Sequence, residues 1–196
     1  MDALSQGIES YWNINSTEES KDYARKAIKL VMDNLIKAVH NPDKKSRYNM
    51  AIAANYAGKA INITKTTACH AISYPITSYF NVPHGHAVAL TLHSMIVFNS
   101  EVSEYDVQDS RGYGYVKKIM NELISIIGTS SFIKAKEQIN DLIKNIGLET
   151  RLADLGIKTQ KDIEIIIKNG FNPDRVKNNP RLLTEIQLRN ILEDIR

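Results

Sequence analysis

The 196-residue sequence lacks several features that would narrow its function at once. It contains a single cysteine, Cys69, which excludes an internal disulfide and fits a reducing compartment. No apolar stretch approaches the roughly 20 residues that a membrane-spanning helix needs. The first residues also lack the basic region and apolar run of a secretory signal. We therefore expect a cytoplasmic protein that does not associate with membranes.

A strong charge of one sign is lacking as well. Lys and Arg number 25 against 22 Asp and Glu, and the net charge of +3 is spread along the chain. No basic patch indicates nucleic-acid binding. The apolar fraction of 43 % and the charged fraction of 24 % are typical of a globular protein. We expect one domain over residues 1–196.

Proline and glycine are scarce, with 5 and 9 residues, and strict apolar/polar alternation is rare. Apolar residues instead recur at the helical period, which predicts an all-α domain of eight to ten helices. One of the predicted helices carries His70. The others run from the first residues to 12 and over 17–40, 44–61, 84–99, 115–127, 130–146, 159–169 and 183–195.

Several residues predict where these helices begin and end. The stretch from Ser16 to Glu19 is a capping-box pattern that predicts the start of the second helix. Pro75 is expected to kink the helix of His70 or to end it early. Four glycines occupy positions typical of helix C-termini. They are Gly128, Gly147, Gly156 and Gly170.

The candidate chemistry centres on two histidines, His70 and His84, which lie fourteen residues apart. Isolated histidines are more often ordinary packing or capping residues than metal ligands. However, Asp2 and Gln6 are four residues apart on the first helix and point the same way. Oxygen ligands together with imidazoles suit a divalent metal such as Zn²⁺ or Fe²⁺. The residues therefore leave two interpretations open, a metal site and two unrelated histidines.

Three segments resemble the iron-containing (group III) alcohol dehydrogenases. The start, MDALSQGIESYW, is similar to that family's MDALxHxIExY segment. The segment HAISYPITSYFNVPHGHAVALTLHSMIVFN resembles its HxxxHxLGxxxxxPHGxxxAxxLPxxxxFN signature, with Asn99 at the final position. The late NNPR, residues 178–181, is similar to the family's C-terminal NPR.

This resemblance implies a fold and assigns nucleotide binding and metal binding to different domains. Family members join an N-terminal nucleotide-binding α/β domain to a C-terminal helical metal-binding domain of the dehydroquinate synthase-like fold, with the active site between them. Residues 1–196 correspond to the helical domain and contain no glycine-rich unit for a pyrophosphate. We expect the nucleotide-binding domain to be absent from this chain and the isolated domain to be inactive. The expected partner of this chain is the missing nucleotide-binding domain, either in a separate chain or in a longer reading frame. The alternative partner is a second copy of this chain.

Carried over residue by residue, the resemblance implies a set of metal ligands. Asp2, His70 and His84 match three of the family's four metal ligands. The metal that the resemblance implies is Fe²⁺, with Zn²⁺ or Ni²⁺ as alternatives. Gln6 stands where the fourth ligand is His, and its amide oxygen would bind metal more weakly or contact substrate instead. Tyr74 stands where many members carry a His that relays a proton. A tyrosine, with a free pKa of about 10, is a poorer relay near neutral pH, and packing is the other interpretation of Tyr74.

The variants Gln6 and Tyr74, with KTTACHAISY and PHGHAVAL, are most similar to a subgroup linked to phosphonate metabolism, the phosphonoacetaldehyde reductases. This similarity implies NAD(P)H-dependent reduction of an aldehyde that bears an anionic head group. Lys65, Thr66 and Thr67 precede the helix of His70 and are candidates to bind that group through a charge and helix N-terminal amides. The alternative is that Thr66 only caps the helix and Lys65 is solvated.

Two other functions stay open at this point. The chain can be a non-catalytic helical remnant that self-associates, or binds a partner chain, through an apolar patch around His70 and His84. It can also be a dehydroquinate synthase-like enzyme that acts on a polyol phosphate, although that group has a different histidine spacing. Bound metal distinguishes the metal-dependent enzyme from the remnant.

Overall fold

A computed structural model describes residues 1–196, except for the side chain of Pro173. The described residues form ten α-helices and no β-strand beyond one isolated bridge between Val107 and Arg181. The all-α prediction is therefore confirmed. The helices are α1 (Asp2–Trp12), α2 (Glu18–His40), α3 (Lys44–Thr64), α4 (Ala68–Phe80), α5 (His84–Ser100), α6 (Tyr113–Ile127), α7 (Phe132–Asn145), α8 (Gln160–Gly170), α9 (Pro173–Val176) and α10 (Glu185–Asp194).

Helix α1 lies at the centre of the fold and packs against α2, α3, α5 and α6. Its apolar residues Leu4, Ile8 and Tyr11 are fully buried. Burial of each such side chain contributes about 1.5–3 kcal/mol. Polar residues of α1 are consequently held inside the molecule. None of the described helices combines the length and the apolar character that crossing a bilayer would take.

Most helix bounds lie within one to three residues of the prediction, and the structure gives the reason at two of them. Helix α2 is capped by Thr17 rather than Ser16, because Thr17 Oγ1 accepts from the Ser20 amide at 3.1 Å and Ser20 Oγ accepts from the Thr17 amide at 2.9 Å. Helix α3 continues three residues beyond 61 because the buried Thr64 hydroxyl bonds to Ser10 Oγ of α1 at 2.9 Å. The break falls at Lys65, whose φ of 63° ends the helix.

Pro75 does not end α4, which runs through it to Phe80. Of the two expected effects of Pro75, the early end is therefore wrong, and the kink stays a prediction. Gly128, Gly147 and Gly156 adopt positive φ at the ends of helical segments, as predicted. Gly170 is different, since it is the last residue of α8 and its φ is not positive.

Gly170 is required by a close helix contact instead. A Cβ atom there would lie 3.0 Å from Pro75 Cγ and 3.1 Å from the Cα atom of Ile72. Backbone atoms cannot move aside as a flexible side chain does. Gly170 therefore lets α8 pack directly against α4, the helix that carries His70.

We expect Gly170→Ala to lower the free energy of unfolding by about 1–3 kcal/mol, because the new methyl group pushes α8 away from α4. The matched control is Gly58→Ala, on an exposed face of α3 where a Cβ would meet nothing within 4 Å. That variant should gain about 0.5–1 kcal/mol from helix propensity. Urea unfolding measures both, and a stability gain in both variants would contradict the close contact.

Candidate metal centre

The three predicted ligands with family matches meet where three helices begin. Asp2 is the first residue of α1, His84 is the first of α5, and His70 lies in the first turn of α4. One ligand atom from each lies within 4.8 Å of the others. Asp2 Oδ1 is 3.3 Å from His70 Nε2 and 3.7 Å from His84 Nε2.

Gly85 makes this convergence possible. A Cβ atom at Gly85 would lie 3.2 Å from both the backbone nitrogen and the Cβ atom of Asp2. Any larger residue would force the start of α1 away from the start of α5. The Pro-His-Gly sequence thus places an imidazole at a helix start and leaves room for a carboxylate beside it.

Two ligand atoms are buried without a hydrogen-bond partner, Asp2 Oδ1 and His70 Nε2. They face each other at 3.3 Å without hydrogen-bond geometry. Ligand atoms around a tetrahedral ion with bonds of about 2.0–2.2 Å lie about 3.3–3.6 Å apart. A carboxylate oxygen with two imidazole nitrogens is also a donor set that Fe²⁺ and Zn²⁺ accept. Asp2, His70 and His84 therefore fit a divalent ion.

Glu9 is a site residue that the sequence interpretation missed. It is fully buried on α1, and its carboxylate contacts His70 Nδ1. The same carboxylate accepts from Thr67 Oγ1 at 2.6 Å and from the Cys69 amide at 2.8 Å. By holding Nδ1, Glu9 turns the Nε2 atom of His70 towards Asp2, as a carboxylate behind a metal-binding histidine does.

The charges of the site favour a cation. Burial alone would lower the pKa of His70, but the Glu9 and Asp2 carboxylates outweigh it and raise that pKa to about 9. Burial opposes the charge of Glu9, yet His70 keeps the pKa of that carboxyl below its usual value. The nearby imidazole of His70 likewise lowers the pKa of Asp2. Two carboxylates thus surround one imidazole, and a bound metal ion would replace its proton.

Gln6 contacts the site through Asp2. Its Nε2 atom donates to Asp2 Oδ2 at 2.9 Å, which orients the carboxylate whose other oxygen faces the histidines. Gln6 also lines an open cleft beside the metal centre. Its amide oxygen as a fourth ligand stays a prediction.

An open cleft of about 620 Å³ reaches the metal centre. Five of the predicted site residues besides Gln6 line it, namely Lys65, Thr66, His70, Tyr74 and His84. Thr67 is placed elsewhere. Its side chain is fully buried, donates to Glu9 and accepts from Trp12 Nε1 at 3.1 Å. Thr67 therefore supports the metal centre from behind instead of lining the cleft.

Tyr74 stands between the metal centre and a cation. Its ring stacks on His84 with centroids 5.8 Å apart. The guanidinium carbon of Arg175, on α9, lies 4.5 Å from the same ring, and Arg175 donates to the Tyr74 hydroxyl. Arg175 also lines the cleft, although no sequence motif singled it out.

The NNPR segment holds α9 in place. The buried amides of Asn99 and Asn179 bond to each other twice, at 3.2 and 2.7 Å. Asn178 Nδ2 donates to the carbonyl of Thr66 at 3.1 Å. These residues of the signature are therefore structural, since they fasten the segment that follows Arg175 to the wall of the cleft.

Two side chains near the site in sequence take no part in it. His86 bonds through Nε2 to the carbonyl of Glu149 at 2.7 Å, as its place on another face of α5 predicts. Cys69 is a fully buried free thiol, and burial raises its pKa. Neither side chain offers a ligand atom to the cluster.

Comparisons with known proteins give this geometry a family. The model of the C-terminal part of the iron-containing alcohol dehydrogenases matches residues 1–196. A phosphonoacetaldehyde reductase of Streptomyces viridochromogenes is 37 % identical over 129 residues, which are 65 % of this chain and 33 % of that protein. An NAD-dependent methanol dehydrogenase of Bacillus methanolicus is 29 % identical over 199 residues, covering 99 % of this chain and 50 % of that one.

Among solved structures, a sulfoacetaldehyde reductase from Bifidobacterium kashiwanohense in complex with NAD⁺ is similar, with a TM-score of 0.84 and 31 % identity over 99 % of this chain. The match covers 48 % of that protein. This chain thus spans half or less of the relatives it resembles. Since the family model matches from the first residue to the last, the chain belongs to the iron-containing alcohol dehydrogenase family and corresponds to its C-terminal helical domain.

Proposed function

We propose that the chain is the metal-binding half of an NAD(P)-dependent alcohol dehydrogenase that reduces an aldehyde. The observation that supports this most is the convergence of Asp2, His70 and His84, two of them with unpaired buried ligand atoms, at one cleft. Iron is the metal of the family name, with Zn²⁺ and Ni²⁺ as alternatives. When bound, the ion supplies a Lewis acid that polarises a carbonyl oxygen.

The remaining steps fall to other groups. Tyr74 is the proposed proton donor, because its hydroxyl oxygen accepts from Arg175 while its own proton stays available to the product oxygen. Gln6 completes the metal ligands or contacts the substrate. The hydride comes from NAD(P)H, which we assign to a nucleotide-binding domain other than residues 1–196, in a separate chain or a longer polypeptide.

The substrate class proposed is an aldehyde with an anionic head group, such as phosphonoacetaldehyde. Two of the similar proteins are named for aldehydes that carry a phosphonate or a sulfonate. Lys65 and Thr66 line the cleft, where a charge and a polar side chain can face such a group. The side chain of Thr67 is fully buried, so we do not assign it to head-group binding.

The alternative is a non-catalytic helical remnant that acts through a partner chain or a second copy of itself. Such a remnant has no need of a buried carboxylate behind a histidine, or of ligand atoms left unpaired for an ion. The family match and the intact ligand cluster both favour the enzyme. Metal binding is the property that separates the two functions.

Protein purified without chelator should carry close to one equivalent of Fe, Zn or Ni by elemental analysis. We expect His84→Ala to reduce the bound metal to less than about a tenth, because one of three protein ligands is lost. His86→Gln, two residues along the same helix and bonded to a carbonyl, should retain it. A parent protein that takes up no metal, even after incubation with Fe²⁺ or Zn²⁺, would support the remnant.

Glu9→Gln should weaken metal binding about 10- to 100-fold, because His70 loses the carboxylate that orients it. Glu122→Gln is the matched control, since Glu122 also accepts from a residue of α1, Tyr11, at 3.0 Å but lies outside the metal centre. Competition with a chromogenic chelator measures both affinities. Equal affinities in the two folded variants would count against the role of Glu9.

Residues 1–196 alone should give no measurable turnover of phosphonoacetaldehyde with NADH or NADPH, even when loaded with metal. The reason is that the proposed hydride donor binds to another domain. Absorbance at 340 nm follows the reaction, and a full-length relative assayed in parallel serves as the positive control. Turnover comparable to that relative would overturn the proposed division of labour.

A further inference from the structure

We infer that Arg175 binds the anionic head group of the substrate and so determines substrate class; this inference rests on the proposed function. Arg175 lies on α9 and lines the same cleft as His70 and His84. The metal centre therefore occupies one part of the cleft and a guanidinium group another. A short molecule with an aldehyde at one end and an oxyanion at the other matches that arrangement.

The charge of Arg175 is available to a ligand. Among the described side chains, no carboxylate lies within 4.0 Å of its guanidinium group. The neighbouring Asp174 also lines the cleft, but it is paired with Lys177 at 2.8 Å, and Asp2 belongs to the metal centre. Lys65 adds a second positive charge to the cleft. An oxyanion entering the cleft thus meets two cations, Lys65 and Arg175, neither of which forms an ion pair with a described carboxylate.

The guanidinium group is also held in place before a ligand arrives. The central carbon of the Arg175 guanidinium group lies 4.5 Å from the centre of the Tyr74 ring, and the Tyr74 hydroxyl accepts a hydrogen bond from one N–H group of Arg175. The other N–H groups of the guanidinium remain for a tetrahedral oxyanion, which arginine can bind through two parallel hydrogen bonds. Because Tyr74 also stacks on His84, it sets the position of the cation relative to a metal ligand.

This arrangement selects for a head group rather than for an aldehyde in general. A neutral aldehyde of the same size leaves the guanidinium unused, whereas phosphonate and sulfonate share the tetrahedral oxygens that it can bind. Tyr74 acts as a positioning residue in this step, in addition to its proposed proton transfer. The recognised chemistry is therefore a small aldehyde with a tetrahedral oxyanion close to the carbonyl carbon.

The test is calorimetric titration of the zinc-loaded chain with 2-hydroxyethylphosphonate and, separately, with 2-hydroxyethylsulfonate. We expect Arg175→Gln to weaken binding of either probe at least about tenfold, and Arg175→Lys to weaken it less. Arg151→Gln removes the same charge at a site that does not line the cleft and should change nothing. Repeating the titrations without metal is needed because a phosphonate oxygen can itself coordinate zinc.

Each outcome decides a different question. If the parent binds a probe and Arg175→Gln binds it equally well, the inference is wrong while the anionic substrate class stands. Equal losses in Arg175→Gln and Arg151→Gln would reduce the effect to net charge and also overturn the inference. If the parent binds neither probe, with or without metal, the anionic substrate class fails and the inference fails with it. A loss confined to Arg175 variants, present in both metal states, supports it.

Discussion

The contact between the buried carboxylate of Glu9 and the imidazole of His70 determines most of what surrounds it. A fully buried charge costs several kcal/mol unless it is paired and hydrogen-bonded. Glu9 meets that requirement only with α4 in its observed place, where the Thr67 hydroxyl, the Cys69 amide and His70 all reach it. The contact therefore docks α4 on α1 and directs a ligand atom towards Asp2 in the same step.

Close backbone approach is the second constraint, and two glycines provide it. Gly85 lets the start of α1 approach the start of α5, and Gly170 lets α8 support α4 from behind. A metal centre built from three helix starts depends on the relative positions of those helices to within about 0.5 Å. The packing of the helices consequently determines the geometry of the site in this domain.

Helical periodicity is a local signal, and it predicted the all-α fold. The ligand set of Asp2, His70 and His84 was implied by the family resemblance, because their spacing alone left a metal site and two unrelated histidines open. Helix ends were missed where a tertiary bond decides them, as at Thr64. Glu9 did leave a signal, a carboxylate on the apolar face of the first helix beside Ile8. Arg175 left none, because it meets Tyr74 across 101 residues and sits on a four-residue helix without a motif.

In the proposed function, metal binding and head-group selection fall to different elements of this domain. The proposed ligands lie on α1, α4 and α5, which are anchored in the core, whereas the proposed head-group cation, the exposed Arg175, lies on α9. Tyr74 touches both, through the His84 ring and the Arg175 guanidinium. As proposed, a tyrosine at this position is a less efficient proton relay than histidine, but it holds the Arg175 guanidinium group in a fixed position. If Arg175 binds the head group as proposed, substitutions on α9 change the preferred head group and leave the buried contacts behind the metal centre untouched.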